Sequence, residues 1–304
     1  MLAAVGLLDI AARHGELARE GLSVDLRAFP SGRDALEALM AGKLDVAACF
    51  DTPLVLAVAR HPGLRIITSL HHASRNTVLV ARRDRGIRST EDLRGRRVGV
   101  PRATNAAFFL DTLLAFGGVA REEVTQVDLA PEAASEALAR GAVDAVAIWY
   151  PEARRAREAL PPGEAVEIPA EVYTEMSMLV VREDLLRERG PELTRLLRAL
   201  SAAERLAENR PAEAFAALRA AHPGEREEDL REDWARGHPG LGLTNVLLTV
   251  LERESRWVLR AQGRSGPGPD FREFLAPGPL AAADPEAVTV HAPLPPPLEE
   301  GESP

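Results

Sequence analysis

The chain has 304 residues, a length that accommodates two domains, and 46% of them are hydrophobic, a share typical of globular proteins. The formal net charge is −9 and no Lys/Arg cluster alternates with aromatic residues, which argues against a nucleic-acid partner. Cys49 is the only cysteine, so neither an intrachain disulfide nor a cysteine-based zinc site can form. No apolar run approaches the roughly 20 residues that span a bilayer.

The first residues carry no features of an export signal. Residues 1–5 contain no basic residue and no cleavage-site pattern, which by itself predicts a cytosolic protein. The pattern that follows predicts a helix, a short strand SVDL (23–26), a second helix and an apolar strand at 46–50. Gly42, directly after the second helix, is expected to form its C-terminal cap, and Gly141 is expected to do the same in the second half of the chain.

The second half of the chain repeats the first. EALMAGKLDVAACF (37–50) and EALARGAVDAVAIW (136–149) share a helix end, a glycine, an aspartate three residues later and an apolar strand ending in an aromatic residue. Residues 4–20 and 106–122 share Leu-Asp, a glycine and Ala-Arg-Glu ahead of a strand. Alternating helices and strands of this length predict parallel sheets with crossover helices, and therefore an α/β fold with two similar halves.

The repeat is incomplete at its beginning. In the second half, a strand RRVGV (96–100) and a loop (101–105) precede the first helix. The matching strand and loop of the first half would lie before Met1. The repeat therefore predicts that the first half lacks its opening strand.

The remaining chain predicts a return strand, a helical stretch and an irregular end. EVYTEMSMLVVRE (171–183) has the composition of a strand, and residues 184–262 carry leucines at helical spacing. From about residue 263 the chain is rich in Gly and Pro, which predicts a segment that wraps around the fold. Its last dozen residues are expected to be disordered.

Four segments resemble one known family. Residues 21–53, 87–110, 142–152 and 274–290 are similar to the solute-binding proteins of ABC importers for sulfonates, taurine, nitrate and thiamine precursors. The two middle segments correspond to the family's entry into its second lobe and to its second binding strand. Together they make the resemblance specific over about residues 4–290.

The resemblance implies two Rossmann-like lobes joined by a two-strand hinge, the type II periplasmic-binding-protein architecture. Lobe one is expected at 1–82 plus 178–262, lobe two at 83–177, and a wrapping C-terminal segment with a disordered Pro-rich tail at 263–304. The family captures a small molecule in the cleft between the lobes and passes it to an ABC permease. A monomer outside the cytoplasm is therefore expected, although the missing export signal leaves a cytoplasmic location open.

Ligands of open parallel sheets bind beyond the carboxyl ends of the strands, where helices begin. Backbone N–H groups at such helix starts bind anions, and Arg102 has a guanidinium suited to sulfonate or carboxylate. Trp149 and Tyr150 are expected to form one apolar wall. Ordinary roles in helix caps, turns and the core remain alternatives. The predicted ligand-binding residues are Ser31, Gly32, Phe50, Asp51, Thr52, Asn76, Arg102, Thr104, Asn105, Trp149 and Tyr150.

Two alternatives keep the same fold. One is an enzyme of the desulfinase or cofactor-precursor synthase type, with Cys49 activated by His71 or His72 beside Arg75. The other is a cytosolic ligand-sensing domain that uses the same cleft. No phosphate-binding loop, dinucleotide fingerprint, HExxH or GxSxG motif is present, so no catalytic residue, cofactor or metal site is predicted.

Overall fold

A computed structural model describes residues 2–168 and 170–290 of the chain. In these residues the strands are β1 (Val46–Phe50), β2 (Leu64–Ala73), β3 (Thr77–Arg82), β4 (Arg97–Val100), β5 (Thr125–Asp128), β6 (Ala145–Trp149), β7 (Ala165–Ile168), β8 (Glu175–Arg182) and β9 (His238–Gly242). The helices are α1 (Leu2–Arg13), α2 (Glu16–Arg19), α3 (Gly32–Met40), α4 (Asp51–Val58), α5 (Asn105–Phe116), α6 (Ala134–Ala139), α7 (Glu152–Glu158), α8 (Glu183–Glu188), α9 (Gly190–Asn209), α10 (Pro211–Ala221), α11 (Glu227–Trp234), α12 (Asn245–Ala261) and α13 (Pro277–Ala283).

The strands form two sheets, and each sheet is the centre of one α/β lobe. The sheet of lobe one has the order β1–β8–β2–β9, and its neighbouring strands all run antiparallel. The sheet of lobe two has the order β5–β4–β6–β3–β7, in which β4 runs parallel to β5 and β6. The expectation of parallel sheets therefore holds only for β5–β4–β6. Strands β3 and β8 enter antiparallel because each follows directly after the chain has crossed from the other lobe.

The internal repeat is visible in the structure. Strand β1 follows α3 and strand β6 follows α6, as the two copies of the pattern predict. Gly42 and Gly141 have φ angles of 70° and 72°, the left-handed conformation of a helix C-terminal cap, which confirms the predicted caps. Each lobe has its own cluster of buried apolar side chains.

One predicted strand is not formed. The segment SVDL (23–26) is exposed and pairs with no strand of the described residues, whereas its counterpart QVDL (126–129) contributes β5. The difference has a physical reason, because β5 is held by hydrogen bonds to its neighbour β4. No strand equivalent to β4 lies beside 23–26 in the described residues.

The pairing of the strands moves the predicted lobe boundaries. Residues 77–82 form β3, which pairs with β6 and β7 and so belongs to lobe two, not to lobe one as expected from 1–82. Glu175 begins β8 in the sheet of lobe one, so lobe two ends before the predicted residue 177. In the described residues the chain crosses between the sheets after Ala73 and again after Ile168.

The part of the C-terminal segment that the structure describes packs on lobe one. Phe271 and Leu280 are fully buried in the core of that lobe. The backbone N–H of Ala276 donates to the carbonyl of Ile66 in β2, and Leu243 forms a bridge with Val288. The predicted disorder of the Pro-rich tail falls on residues 291–304, outside the described residues.

Candidate functional site

A cavity of about 340 Å³ lies between the two lobes. Residues from the turn at 30–34 line it on the side of lobe one, and residues from 101–104 and 128–132 line it on the side of lobe two. Arg33 reaches across and donates from Nη1 to the backbone carbonyl of Arg102 at 3.0 Å. The two surfaces thus face each other closely in this structure.

The wall on lobe one is the start of α3. Ser31 caps this helix, because its Oγ accepts from the backbone N–H of Asp34 at 3.3 Å and donates to the Asp34 carboxylate at 2.6 Å. A Cβ at Gly32 would lie 2.9 Å from the Cα of Cys49, so only glycine allows the helix to begin directly on the end of β1. Gly32 therefore serves close packing of backbone on backbone, and Ser31 lines the cavity.

The wall on lobe two is the loop between β4 and α5. Ala103 has a φ of 57°, a left-handed conformation that is strained for a residue with a Cβ. The loop is held by the N–H of Arg102, which donates to Asp128 at 3.1 Å, and by the Thr104 hydroxyl, which donates to the carbonyl of Pro101 at 2.7 Å. The side chain of Arg102 is exposed and forms no ion pair with any described residue.

Three carboxyl groups are buried where the lobes meet, and none of them lines this cavity. They belong to Asp51, Glu175 and Glu254, each at most 1% exposed. Their hydrogen-bond donors in the described residues are backbone N–H groups, hydroxyls and amides, all of them neutral. We call these three residues the carboxyl cluster. Burying ionised carboxylates without a cation is costly, so protonation is favoured here.

Asp51 is the first residue of α4, directly after β1. One of its oxygens accepts from the Thr52 N–H at 2.9 Å and from the Tyr173 hydroxyl at 2.5 Å, and the other accepts from the Met176 N–H at 2.8 Å. Burial raises the pKa of Asp51 to about 6, although these hydrogen bonds act in the opposite direction. Asp51 thus fixes the second interlobe crossing, which contains Tyr173, against the start of α4.

Glu175 is the first residue of β8 and connects the two lobes. Its Oε1 accepts from the Asn76 amide at 2.5 Å, and its Oε2 accepts from the Thr77 hydroxyl and the Asn105 amide, both at 2.6 Å. Burial raises the pKa of Glu175 to about 7. Because Asn105 begins α5 of lobe two, this carboxyl group holds that helix start against lobe one.

Glu254 completes the cluster from α12. Its Oε2 accepts from the Thr52 hydroxyl at 2.6 Å, whereas its buried Oε1 has no hydrogen-bond partner among the described residues. Burial and the neighbouring Asp51 raise the pKa of Glu254 well above its ordinary value. Two carboxyl groups this close titrate as a pair, and the repulsion between their charges favours the protonated form of Glu254.

The predicted aromatic wall is not formed as a pair. Trp149 lies opposite Thr77 in the β3–β6 ladder, so it shares the face of the sheet that carries the hydrogen bonds to Glu175. Tyr150 points away, with Arg236 3.4 Å above its ring and its hydroxyl donating to Glu167 at 2.6 Å. The physical reason is that consecutive strand-end residues project to opposite sides.

Most of the predicted ligand-binding residues therefore fall into two groups, and four lie elsewhere. Ser31, Arg102 and Thr104 line the cavity, while Asp51, Thr52, Asn76 and Asn105 belong to the buried network. Gly32 is a packing position, Phe50 is buried at the strand end, Trp149 is buried on the network side and Tyr150 is turned away from it.

Sequence reasoning missed Glu175, Glu254, Tyr173 and Arg33. Glu175 had a detectable signal, since it stands as a lone acid before the apolar run MSMLVV. Glu254 also had a detectable signal, because it continues the buried face of α12 three residues after Leu251. Nothing local marks Tyr173 or Arg33.

The residues proposed for an enzyme are not arranged for nucleophilic catalysis. Cys49 is 2% exposed, and burial raises the pKa of its thiol far above the ordinary value. Burial lowers the pKa of His71 to about 3. Cys49 pairs with Met178 and His71 with Ser177, and consecutive residues of β8 face opposite sides of the sheet. The thiol and the His71 imidazole therefore lie on opposite faces. His72 pairs with Met176 and so shares the face of Cys49, but strand β8 lies between the strands that carry the two residues.

In the described part of the chain, no three His, Cys, Asp or Glu side chains are grouped so that they could hold a metal ion. None of the described helices is both long and apolar enough to cross a membrane.

Comparison with known proteins gives one family. The family model described as "NMT1/THI5 like" matches residues 6–214. A binding protein of Brucella abortus (strain 2308) is 26% identical over 198 residues, which cover 64% of this chain and 60% of that protein. The taurine-binding periplasmic protein of Escherichia coli (strain K12) is 28% identical over 131 residues, covering 43% of this chain and 40% of that protein. The matches thus span less than two thirds of these relatives.

Solved structures share the fold. The alkanesulfonate-binding protein SsuA of Xanthomonas axonopodis pv. citri, bound to MOPS, superposes with a TM-score of 0.74 at 21% identity, covering 90% of this chain and 96% of that one. The desulfurization enzyme DSZB superposes with a TM-score of 0.66 at 18% identity, covering 94% and 97%. At these identities the likeness shows the type II binding-protein fold, which binding proteins and an enzyme have in common.

The carboxyl cluster predicts a specific pH dependence of stability. The folded-state pKa of Glu175 is raised to about 7 from 4.5, so its contribution is fully present below about pH 4 and is lost as the pH rises to about 7. Through Glu175 the parent chain should lose on the order of 3 kcal/mol of unfolding free energy over this pH range. We expect Glu175→Gln not to show this part of the loss. Urea denaturation at a series of pH values from 4 to 8 measures the free energy of unfolding of both proteins.

The matched control is Glu188→Gln, which changes an exposed carboxylate on α8. This variant should keep the pH profile of the parent chain. An unchanged slope in Glu175→Gln would show that this carboxyl group is not protonated in the folded state.

Proposed function

Because the chain belongs to the NMT1/THI5-like family, we propose that it is the substrate-binding component of an ABC importer. In this role it captures a small organic solute between its lobes, outside the cytoplasm, and delivers it as a monomer to the permease. The observation that carries the proposal is the interlobe cavity formed by the starts of α3 and α5, at the carboxyl ends of β1 and β4.

Contacts that cross between the lobes give closure a physical basis. Asn105 of lobe two donates to Glu175 of lobe one, and Trp257 of α12 donates to Asp111 of α5 at 2.9 Å. A ligand that touches both walls of the cavity adds contacts which exist only when the lobes are together. Such a ligand shifts the population towards the closed state.

The charges around the site favour a solute with two different ends. Arg33 and Arg102 lie at the cavity and suit an anionic group. The carboxyl cluster suits an ammonium or another N–H donor, since it carries acceptors and no cation. A small amino-sulfonate such as taurine combines both groups, and a relative of this chain is a taurine-binding protein.

A catalytic role has no support from the geometry. The likeness to a desulfurization enzyme concerns the fold, and Cys49 lies buried on the opposite face of the sheet from His71. The proposed activity is therefore binding without chemical change.

Comparison of two ligands tests the proposal directly. Taurine should bind with measurable heat and raise the melting temperature, and it should bind at least about tenfold more tightly than ethanesulfonate, which lacks the amine. The ammonium replaces protons on the carboxyl cluster, so taurine binding should release protons and strengthen between pH 6 and 8. Calorimetry in buffers of different ionisation enthalpy measures this release.

Glu254→Gln should remove most of the difference between the two ligands, because Gln at this position offers no ionisable oxygen. If neither ligand binds, the amino-sulfonate assignment is wrong. If ethanesulfonate equals taurine in affinity and pH profile, the carboxyl cluster does not face the ligand.

Substitution of Arg102 tests whether this side chain binds the anionic group of the ligand. Arg102→Ala should weaken taurine and ethanesulfonate by about tenfold, because a hydrogen-bonded charge contact is lost, and should leave ethanolamine affinity unchanged. Arg60→Ala, at an exposed position just after α4, is the control and should bind as the parent does. An equal loss for ethanolamine and taurine would contradict the assigned role of Arg102.

A further inference from the structure

The two lobes also meet through charged side chains that do not line the interlobe cavity. Helix α7 belongs to lobe two, because Ala153 and Ala156 are buried in the core of that lobe. Helix α11 belongs to lobe one, where Leu230 is buried. The side chains of α7 and of residues 225–236 that contact each other across the lobes are called the charged junction.

Arg154 of α7 is the centre of the charged junction. Its side chain is buried, and its guanidinium donates to the carboxylate of Asp233, which is buried as well. The same guanidinium lies 3.2 Å from the carboxylate of Asp229 and donates to the Asp229 carbonyl at 3.1 Å. All ion-pair partners of Arg154 among the described residues lie on α11. A cation of lobe two is therefore enclosed by acceptors of lobe one.

Further ion pairs between the lobes surround this buried centre. Arg155 of α7 lies 3.6 Å from Glu225, and Glu158 of α7 lies 3.3 Å from Arg226. Most of these side chains are exposed, so water and salt screen their attraction and each pair contributes little to stability. Their charges are nevertheless complementary in the same arrangement of the lobes that pairs Arg154 with its acidic partners.

Arg236 extends the charged junction to the end of strand β6. Its guanidinium carbon lies 3.4 Å from the centre of the Tyr150 ring of lobe two, which is a cation–π contact. Its Nη1 donates to the carbonyl of Arg75, in the first crossing between the lobes, at 3.4 Å. Moving the lobes apart therefore breaks contacts of both Arg154 and Arg236.

A buried ion pair is suited to a contact that forms and separates repeatedly. The cost of removing Arg154 and Asp233 from water offsets much of their mutual attraction. When the lobes part, water rehydrates both charges, so the separated state does not carry the penalty of an exposed apolar surface. The charged junction can therefore favour the closed arrangement without making it permanent.

We infer that the charged junction holds the lobes together in the absence of a ligand, and that Arg154 sets the population of this closed state. The contact of Arg33 with Arg102 across the cavity occurs in the same arrangement of the lobes as the pair of Arg154 with Asp233. Favouring this arrangement raises the affinity for any ligand that touches both cavity walls. Arg154 is thus a positioning residue that acts on the cavity through the lobes.

The distance between the lobes in the ligand-free protein tests the inference. Spin labels are attached through Ala212→Cys on α10 and Ala115→Cys on α5, both at exposed positions, whereas the native Cys49 is buried. Arg154→Gln should lengthen the mean distance by more than about 2 Å, measured by pulsed electron paramagnetic resonance. The physical reason is that Asp233 would otherwise stay buried without its cation, and opening returns it to water.

Two further variants separate the ion pair from a general loss of packing. Arg140→Gln removes an exposed arginine whose ion pair with Glu136 lies within lobe two, so it should keep the parent distance. The double variant Arg154→Gln/Asp233→Asn should open more than the parent but less than Arg154→Gln, because one charge fewer is left buried. This double variant also provides the test if Arg154→Gln alone does not fold. Parent-like distances in Arg154→Gln, or in the double variant, would overturn the inference.

Ligand affinity gives a second and separate readout. Arg154→Gln should weaken taurine and ethanesulfonate by the same factor, because it lowers the population of the binding-competent state and changes no ligand contact. Unequal factors would contradict the positioning role. If neither ligand binds the parent chain, the proposed function fails, whereas the distances between the lobes still decide whether the charged junction holds them together.

Discussion

The burial of three carboxyl groups without a cation is the constraint on which the junction of the lobes depends. Asp51, Glu175 and Glu254 are tolerable there only because neutral donors and shared protons replace the water they have lost. Those donors come from both lobes and from both crossings of the chain. The donors of Glu175 in lobe two, Thr77 and Asn105, reach it only while the two lobes are in contact.

This arrangement connects stability with binding. Asn105 begins the helix beside the interlobe cavity and donates to Glu175, whose pKa is raised by burial, so one hydrogen bond joins the cavity wall to this buried acid. A ligand that brings its own N–H donor replaces protons in this network. The proposed preference for a solute with a cationic and an anionic end follows from this exchange and from Arg102 at the interlobe cavity.

The two lobes differ in the space beside the strands that correspond in the internal repeat. In lobe two, β4 fills the space between β5 and β6, and Asp144 binds its first N–H. In lobe one, no strand lies between the segment 22–29 and the edge of β1 in the described residues, and Asp45 lines the cavity there.

The sequence by itself determined the α/β class, the two similar halves and the helix starts that lie at strand ends. The spacing of hydrophobic residues and the positions of glycines are local properties, so they can be read from the sequence. It placed Ser31, Arg102 and Asp51 at or just before helix starts for the same reason. Only the tertiary structure decided that Tyr150 turns away from Trp149, that residues 77–82 belong to lobe two, and that Glu175 joins the carboxyl cluster with Glu254. Those outcomes depend on which strands pair and which helices meet across the lobes, and contacts between residues far apart in sequence leave little trace in any one segment.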